Sequence, residues 1–518
     1  MEKKKHRAKK SLLRIVFSRA GIIFLLFLIQ LGSMIVTTVM LRDYMSYIYS
    51  ALTILGVLVL IAIINAEGNP AFKMTWMLLV LAFPAAGSVF YVYMQISPDT
   101  RVMRKRLSSE RVETETYLRQ DGRVLDAIWA SRSANAGLAH FLYKQVGFPT
   151  YRNTSVRYFS SGEEKIKVLL EELAKAKKFI FLEYFIIAFG DVWDSVLEIL
   201  KEKARSGVEV RVLYDGTCSV NLLPYRYPKE LEKYGIICKQ SNPLKPFLST
   251  VQNNRDHRKI VVIDGNVAFT GGVNLADEYV NITHPFGYWK DAAIMICGDA
   301  VVSFTMMFLQ MWYVGDKKSG AYRRYSHGSD LPVKNGFGYV TPYGDSPLDN
   351  ENVGEEVYFH ILNHAKKYVH IMTPYLVLDN EMITTLTRVA KSGIDVSIIL
   401  PSVPDKWYVF YLGKTYYSEL ISSGVRIYEY KPGFVHAKVF VSDDDTATVG
   451  SVNLDFRSLY LHFECGVFIY NNPEIKRIEA DFQNTLKSCE KISIMEVHTR
   501  SLFSKIVGRV LRLFAPLM

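Results

Sequence analysis

A stretch of this chain occurs twice, and the repeat constrains the fold more than any other feature of the sequence. "HRKIVVIDGNVAFTGGVN" at 257–274 returns as "HAKVFVSDDDTATVGSVN" at 436–453, in one register and without a gap. A His, a Lys, an Asp, a Gly and an Asn coincide at matching positions. Sparse positions rarely coincide in this way by chance, so we predict a duplicated structural unit.

The similarity extends upstream of the motif. "ARSGVEVRVLYD" (204–215) resembles "AKSGIDVSIILP" (390–401), and "FIFLEYFII" (179–187) resembles "YVHIMTPYLVL" (368–378). Short runs rich in Val, Ile, Phe and Tyr alternate with stretches of helical period, which is typical of α/β proteins. We therefore predict an α/β fold in which two similar repeats pack about a pseudo-two-fold axis.

The first residues of each copy carry the chemistry. Alternate residues of a strand share a face, so His257 projects with Lys259, and His436 projects with Lys438. If the axis brings both strands together, one site receives two imidazoles and two ammonium groups. That set suits a phosphate, because lysines can neutralise its oxygens while one imidazole attacks phosphorus and the other protonates the leaving oxygen.

The rest of the motif is expected to support this site. Asn274 and Asn453 are predicted to add amide donors to the phosphoryl oxygens. Asp264 and Asp443 complete the catalytic motif, but they follow their lysines at an odd offset and face away from them on a regular strand. We expect these two carboxylates to anchor the strands of the site.

Two alternative roles explain the histidines less well. A surface strand could explain a single His/Lys pair, but it does not explain two copies in register. A metal site would need HExxH, Cys/His or clustered carboxylate spacing, and two lysines would repel a cation. We predict that the site uses no metal and no other cofactor.

The net charge of +11 is concentrated at the two ends of the chain. Residues 1–20 contain eight Lys or Arg and one Glu, and residues 500–518 contain four Lys or Arg and no acid, so the body is net neutral. A nucleic-acid-binding protein normally carries its excess on the folded body. Basic ends next to apolar sequence instead suit an anionic lipid surface, so we predict a lipid partner and no nucleic acid.

Three uncharged runs open the chain, at 20–41, 44–66 and 74–98. Each exceeds the roughly 20 residues that a membrane-spanning helix needs. The basic N-terminus and the basic linker at 101–111 should both stay in the cytosol, which three crossings cannot achieve. Because polar residues interrupt the first run, we predict two full crossings and a cytosolic catalytic body, with three crossings as the alternative.

The five cysteines are scattered and show no metal-binding spacing. We interpret them as reduced core residues, which favours a body on the cytosolic side.

The chain closes with "SLFSKIVGRVLRLFAPLM", in which apolar residues recur at helical spacing and basic residues are offset from them. This pattern predicts an amphipathic helix lying in a membrane surface. The alternative is a helix packed on the body with its basic residues in water.

The paired motif resembles the HKD signature of the phospholipase D superfamily. Within it, the chain resembles the bacterial cardiolipin synthases over about residues 68–518. The matching stretches include "LEYFII" (182–187), "NNRDHRKIVVIDG" (253–265), "GGVNLADEY" (271–279), "GYWKDA" (287–292), "TPYLVLD" (373–379), "FVHAKVFVSDDD" (434–445) and "GSVNLDFRSLYLHFE" (450–464).

The resemblance implies a phosphatidyl transfer. His257 would attack the phosphorus of a phosphatidylglycerol and form a phosphohistidine, a choice over His436 that follows family precedent. His436 would protonate the leaving glycerol and then deprotonate a second phosphatidylglycerol, giving cardiolipin. Asp291 and Glu464 are expected to pair with the two imidazoles. His462 departs from the family pattern, which commonly has Asn there.

The resemblance leaves other activities open, because the same site serves hydrolysis, nuclease action and phosphatidylserine formation. A phospholipase D-type hydrolase or another phosphatidyltransferase is the main alternative, and a scaffold without catalysis is disfavoured because both motifs are complete. The predicted organisation is a membrane region at 1–100, a first half at 101–335, a second half at 336–499 and the C-terminal helix at 500–518.

Overall fold

The computed structural model describes residues 25, 28–33, 36, 44–96, 98–218, 222–243, 250–314, 316, 321–326 and 336–517. The chain divides into two compact units: Met1–Val102 with Leu244–Asn253 and Leu517, and Met103–Pro243 with Asn254–Pro516 and Met518. The basic residues 1–20 lie outside the described residues, as does most of the apolar run predicted at 20–41.

The first unit contains three described apolar helices: α1 (Met45–Asn65), α2 (Pro70–Ala82) and α3 (Pro84–Gln95). Among the described residues, only the Ser46–Asn65 part of α1 is long and apolar enough to cross a membrane. Only 17% of its most apolar window is buried, so most of its apolar surface is exposed. The described residues therefore contain one candidate membrane span.

Residues 74–98, which the sequence predicted as a membrane span, do not form one continuous helix. The run is divided between α2 and α3 at Phe83, whose backbone (φ −137°, ψ 75°) is not helical. The cause is Pro84, which lacks an N–H and disfavours the helical conformation in the residue before it. Helices of 13 and 12 residues reach only about 20 Å, short of the roughly 30 Å hydrocarbon core. The predicted pair of full crossings is thus not confirmed.

The second unit begins with helices and continues into the first of two large sheets. The helices are α4 (Pro98–Thr114, whose first residues belong to the first unit), α5 (Gly122–Ala130) and α6 (Asn135–Lys144). The sheet has seven strands in the order β1-β8-β6-β5-β2-β3-β4. Its strands and helices are β1 (Thr154–Phe159), α7 (Gly162–Lys175), β2 (Phe179–Tyr184), α8 (Asp191–Arg205), β3 (Glu209–Asp215), α9 (Tyr227–Glu232), β4 (Ile237–Ser241), β5 (Lys259–Ile263), β6 (Val267–Gly271), β8 (Ala293–Gly298) and α10 (Val301–Tyr313).

The second sheet has eight strands in the order β17-β12-β11-β10-β14-β15-β16-β9. Its elements are β9 (Tyr339–Asp345), α11 (Val353–His364), β10 (Tyr368–Met372), α12 (Asn380–Lys391), β11 (Asp395–Pro401), α13 (Trp407–Gly413), α14 (Tyr417–Ser422), β12 (Arg426–Tyr430), β14 (Val439–Ser442), β15 (Thr446–Gly450), β16 (Glu464–Tyr470), α15 (Glu474–Leu486), β17 (Cys489–Lys491), α16 (Ile494–Thr499) and α17 (Leu502–Arg512).

The two sheets share one connectivity, which confirms the predicted duplication and the α/β class. β2 is parallel to β3 and antiparallel to β5, and β10 has the same relations to β11 and β14. The antiparallel series β5-β6-β8-β1 is matched by β14-β15-β16-β9. The motif strands β5 and β14 therefore occupy equivalent positions, each beside the first strand of its parallel set.

Short segments connect the two halves reciprocally. β7 (Tyr288–Lys290) of the first half pairs in parallel with β13 (Gly433–Val435) of the second. Likewise, Asp256 of the first half forms an isolated parallel β-bridge with Phe463 of the second. This reciprocal exchange is the pattern that two similar halves produce when they face each other across an axis.

The C-terminal helix α17 packs on the second half at Gly508 and Arg512. A Cβ at Gly508 would lie 2.6 Å from Thr415 Cγ2, and the Arg512 guanidinium lies 4.5 Å from the ring centre of Tyr416. Its large apolar side chains and those that follow it are instead exposed: Leu502, Phe503, Ile506, Val510, Leu513, Phe514 and Leu517. The helix predicted from the sequence is present, and its apolar face points away from the body.

All five cysteines are free thiols, and three of them are buried. The interpretation as core residues fits the three buried thiols, whereas Cys297 and Cys489 are half-buried.

Candidate active site

Each motif histidine lies on a segment that hydrogen-bonds to the backbone of the other half. The His257 N–H donates to the carbonyl oxygen of Phe463 over 3.0 Å, and the His436 N–H donates to that of Lys290 over 2.7 Å. The strands β5 and β14 begin two and three residues after these histidines. The fold therefore fixes both histidines at the junction of the halves.

Each imidazole is held by a carboxylate that the other half supplies. His257 Nδ1 lies 2.9 Å from Glu464 Oε1, and His436 Nδ1 lies 2.7 Å from Asp291 Oδ2. Both carboxylates are completely buried. The structure thus brings together the two His–carboxylate pairs that the sequence analysis expected.

These contacts determine which ring nitrogen can react. Burial tends to raise the pKa of Asp291 and Glu464, but contact with the imidazoles outweighs it, and both pKa values are lowered. An ionised carboxylate accepts a hydrogen bond from the Nδ1–H of its histidine, which keeps the proton on Nδ1 and leaves the Nε2 lone pair free. Burial lowers the pKa of His257 well below its usual range and that of His436 to about 4. Both rings are therefore neutral at pH 7 when the site holds no anion.

The two lysines are arranged alike. Lys259 Nζ donates to the backbone oxygen of His257 over 2.5 Å, and Lys438 Nζ donates to that of His436 over 2.5 Å. Burial lowers the pKa of Lys259 to about 8 and that of Lys438 to about 7. The charge of Lys259 also lowers the pKa of Lys438 and of His436, so cations of both halves act on one site.

The two carboxylates have different neighbours. Glu464 also accepts hydrogen bonds from Ser451 and, over 2.7 Å, from Ser458 Oγ. The counterpart of Ser451 is Gly272, where a Cβ would lie 2.0 Å from Asp291 Oδ1. Sequence reasoning missed both serines. The change from Gly-Gly in the first copy to Gly-Ser in the second was the available signal.

Aromatic rings flank both histidines. The Phe185 ring centre lies 4.8 Å from that of His257, and those of Trp289 and Tyr279 lie 5.2 Å and 5.4 Å from that of His436. These rings exclude water from the imidazoles. The sequence analysis missed them, because no spacing rule links them to the motif.

Asp264 and Asp443 lie at the far ends of the motif strands, which corrects their inclusion among the catalytic residues. Asp264 accepts backbone N–H bonds of 2.6–2.9 Å from residues 177–179, and Asp443 accepts bonds of 2.6–3.0 Å from residues 366–368. β5 separates Asp264 from Lys259 by about 16 Å at roughly 3.3 Å per residue. Their contacts are those of anchors, as their odd offset suggested.

The motif asparagines are both buried. Asn274 Oδ1 accepts a hydrogen bond from the Ile186 N–H over 3.1 Å, and Asn274 also bonds to Tyr279. Asn453 Oδ1 has no partner. Asn274 therefore holds the loop after β2, and the amide contact to phosphate stays a prediction for both.

His462 lies beside His257, with ring centres 5.5 Å apart. It is only 9% exposed, and neither ring nitrogen has a hydrogen-bond partner. His257, His462 and Glu464 bring one potential metal-ligand atom each within 4.8 Å of one another. The sequence analysis noted His462 as unusual but did not place it next to His257.

Comparison with known proteins gives the family. The family model for the phospholipase D-like domain of cardiolipin synthases matches residues 169–307 and 358–486, one segment in each half. The chain belongs to this family. It is 35% identical over 466 residues to a cardiolipin synthase of Geobacillus sp. strain WCH70, covering 88% of this chain and 91% of that protein.

Two further proteins are similar to this chain. An uncharacterised protein of Streptococcus mutans is 46% identical over 456 residues, covering 88% of this chain and 98% of that protein. The crystal structure of a phosphatidylserine synthase from Haemophilus influenzae matches with a TM-score of 0.54 at 17% identity, covering 70% of this chain and 93% of that one. At this identity the structural match shows the fold alone.

Proposed function

We propose that this chain is a cardiolipin synthase that transfers a phosphatidyl group from one phosphatidylglycerol to another. The observation that carries the proposal is the pair of buried histidines, each held by a carboxylate of the opposite half and accompanied by a lysine. Membership of the cardiolipin synthase family selects this transfer among the reactions that such a site can perform.

In the first step, His257 Nε2 forms a bond to phosphorus and the bond from phosphorus to the glycerol oxygen breaks. His257 keeps its Nδ1 proton, whose hydrogen bond Glu464 accepts, and the carboxylate stabilises the positive charge that develops on the ring. His436 gives a proton to the glycerol oxygen, so that glycerol leaves neutral. Lys259 and Lys438 neutralise the phosphoryl oxygens as they gain charge.

The arriving anion sets the protonation states that this step requires. Burial keeps both imidazoles neutral in the empty site, but the negative phosphoryl group stabilises a proton on one of them. A protonated His436 can then act as the acid while neutral His257 acts as the nucleophile.

In the second step, a hydroxyl of a second phosphatidylglycerol replaces the departed glycerol. His436 Nε2 removes its proton, the oxygen bonds to phosphorus, and the bond from phosphorus to His257 breaks. The products are cardiolipin and the original enzyme. Because the lysines supply the positive charge at phosphorus, the scheme needs no metal ion.

We propose further that the C-terminal part of the second half lies on the membrane surface. The exposed apolar residues of α17 adjoin α13, where Trp407 is 60% exposed. Arg509 and Arg512 are exposed beside this apolar face. Apolar side chains, an interfacial tryptophan and cations together suit an anionic lipid surface. We place the body on the cytosolic side, in keeping with its free thiols.

The test uses purified full-length protein in phosphatidylglycerol vesicles with a chelator and without nucleotide. The expected products are cardiolipin and glycerol in equal amounts. Phosphatidic acid as the sole phospholipid product would instead indicate a hydrolase. A requirement for a CDP-activated lipid would indicate another phosphatidyltransferase.

A further inference from the structure

His462 is a buried side chain in the candidate active site whose two ring nitrogens form no hydrogen bond. Its ring is 9% exposed, and neither nitrogen forms a hydrogen bond. The nearest carboxylate oxygen, Glu464 Oε1, lies 3.8 Å from Nδ1, which is too far for a hydrogen bond. Glu464 already accepts hydrogen bonds from His257, Ser451 and Ser458. A buried group in this state costs free energy that a bound ligand can recover.

In the first half, the position equivalent to His462 carries Trp289, whose ring N–H has a hydrogen-bond partner. Trp289 stands two residues before Asp291, as His462 stands two residues before Glu464. The Trp289 Nε1–H donates to Asp291 Oδ2 over 3.3 Å, and its ring lies 5.2 Å from that of His436. The indole has one donor and uses it within the protein. The equivalent imidazole has a donor and an acceptor and uses neither.

We propose that His462 is a further substrate-binding residue, whose ring N–H donates a hydrogen bond to a phosphoryl oxygen of the donor lipid. The inference rests on the proposed function. In an in-line displacement, the attacking nitrogen and the leaving oxygen lie on opposite sides of phosphorus. A group beside His257 therefore faces the remaining oxygens. Such a bond to an anionic oxygen is stronger than a bond to a neutral one.

A metal ion is the competing occupant, because three ligand atoms lie within 4.8 Å of one another. The charges of the site oppose this. A metal bound at His257 Nδ1 would displace the proton shared with Glu464. It would also approach Lys259, whose positive charge already lowers the pKa of His257. The positive charge of the lysines favours an anion at this site. The binding measurement below would detect a metal ion if one bound instead.

The kinetic test compares His462→Phe, which keeps a ring but removes both nitrogens, with His462→Asn, which restores a short amide donor. The exposed His140 on α6 supplies the matched control, His140→Phe. We expect His462→Phe to raise the KM for phosphatidylglycerol about tenfold or more, with a smaller change in kcat. We expect His462→Asn to recover much of that loss and His140→Phe to match the wild type.

An unchanged KM in His462→Phe would overturn the inference, as would a His462→Asn variant no better than His462→Phe. Thermal unfolding of each variant shows whether it is folded. If His462→Phe does not fold, the inference is tested by comparing wild type with His462→Asn and by the phosphate titration of the wild-type protein.

A binding measurement separates this inference from the proposed function. Inorganic phosphate is titrated into full-length protein carrying 15N-labelled histidine, and the ring signal of His462 is followed. We expect that signal to shift on titration, and phosphate to bind more weakly to His462→Phe. If this occurs without cardiolipin formation, the proposed function fails and the His462 assignment stands. If cardiolipin forms but phosphate leaves the His462 signal unmoved, the assignment fails alone. Stoichiometric Zn²⁺ binding that requires His462, with no response to phosphate, would overturn the assignment in favour of a metal site.

Discussion

His257 and His436 occupy equivalent positions, but the protein holds them differently. The carboxylate of His257 is a glutamate that two serines support, whereas that of His436 is an aspartate that accepts from a tryptophan and a backbone N–H. A nucleophile and an acid need different surroundings, because one must lose its proton where the other must keep it. The asymmetry gives a physical basis for assigning the two histidines different roles.

Replacing either histidine should abolish turnover. We expect His257→Ala and His436→Ala each to lower cardiolipin formation by roughly 10³-fold or more, because each removes a group required in the rate-limiting chemistry. Initial rates in phosphatidylglycerol vesicles measure this, with His140→Ala as the control. Activity near the wild-type level in either variant would contradict a shared site.

The lysines predict a dependence on pH. Burial lowers the pKa of Lys259 to about 8 and that of Lys438 to about 7, and a lysine is charged only below its pKa. As the pH rises through these values, the empty site loses positive charge and binds an anionic headgroup less well. We expect kcat/KM, which reports the free enzyme, to fall between about pH 7 and pH 9. Lys438→Arg should move this fall to higher pH, since arginine stays charged. A profile that does not move in this variant would contradict the role given to Lys438.

At the scale of single residues, the sequence predicted the reactive groups but not all of the side chains that surround them. The repeat identified the two His/Lys pairs, and the family resemblance supplied Asp291 and Glu464. Ser458 and Phe185 reach the site from distant segments, so only the three-dimensional structure could place them there. His462 was noticed as a departure, but its missing partners could not be inferred from the sequence.

At the scale of elements, the anchoring aspartates hold the ends of strands together. Each accepts three backbone N–H groups from the segment that leads into the neighbouring strand, and each has a left-handed backbone, with φ of 54° at Asp264 and 55° at Asp443. Asp and Asn tolerate this conformation better than other non-glycine residues. Each motif aspartate thus forms the turn after its own strand and accepts three backbone hydrogen bonds at the start of the neighbouring strand.

Asp264→Ala should therefore lower the free energy of unfolding by about 2–4 kcal/mol, because it leaves three N–H groups without their acceptor and strains the turn. Asp264→Asn should cost less. Denaturant unfolding measures both, and the KM for phosphatidylglycerol of the folded fraction should stay at the wild-type value. A raised KM with unchanged stability would show that Asp264 acts on the substrate.

The hydrophobic period and the repeat together indicated the strands of both halves. Hydropathy alone did not indicate the helix break at Pro84. The strands of both halves lie where the apolar runs indicated. The run at 74–98 has the composition of a membrane span, but Pro84 divides it into two helices. Hydropathy averages over such a break, whereas backbone geometry responds to the single residue that causes it.

At the scale of the whole molecule, duplication explains why the site forms only when both halves are present. Each half contributes one histidine and one carboxylate, and each carboxylate belongs to the other half's histidine. The repeat predicted one site with two His/Lys pairs, and the family resemblance supplied the two carboxylates. The exchange of these carboxylates between the halves is visible only in the structure. For α17 the sequence predicted a membrane-facing apolar side, with packing on the body as the alternative. The packing of Gly508 against Thr415 is what leaves that apolar side exposed.

The exposed face of α17 predicts contact with lipid. A fluorophore on Ile506→Cys should be quenched by quenchers carried on the lipid chains of anionic vesicles, and less in zwitterionic vesicles. The full-length protein is used with its two half-buried cysteines, Cys297 and Cys489, replaced by serine. A fluorophore on Lys476→Cys, at an exposed polar position of α15, is the control. Equal quenching at both positions would contradict the membrane-facing assignment.

A phosphohistidine at His257 can be detected by trapping the covalent intermediate. Wild-type protein is mixed with phosphatidylglycerol labelled in its phosphate, denatured within one turnover under conditions that preserve phosphohistidine, and digested. If His257 is the nucleophile, the label appears on the peptide that contains His257, and the His257→Ala protein carries no label. Label on His436 in the wild type, or labelled protein from His257→Ala, would contradict this role of His257.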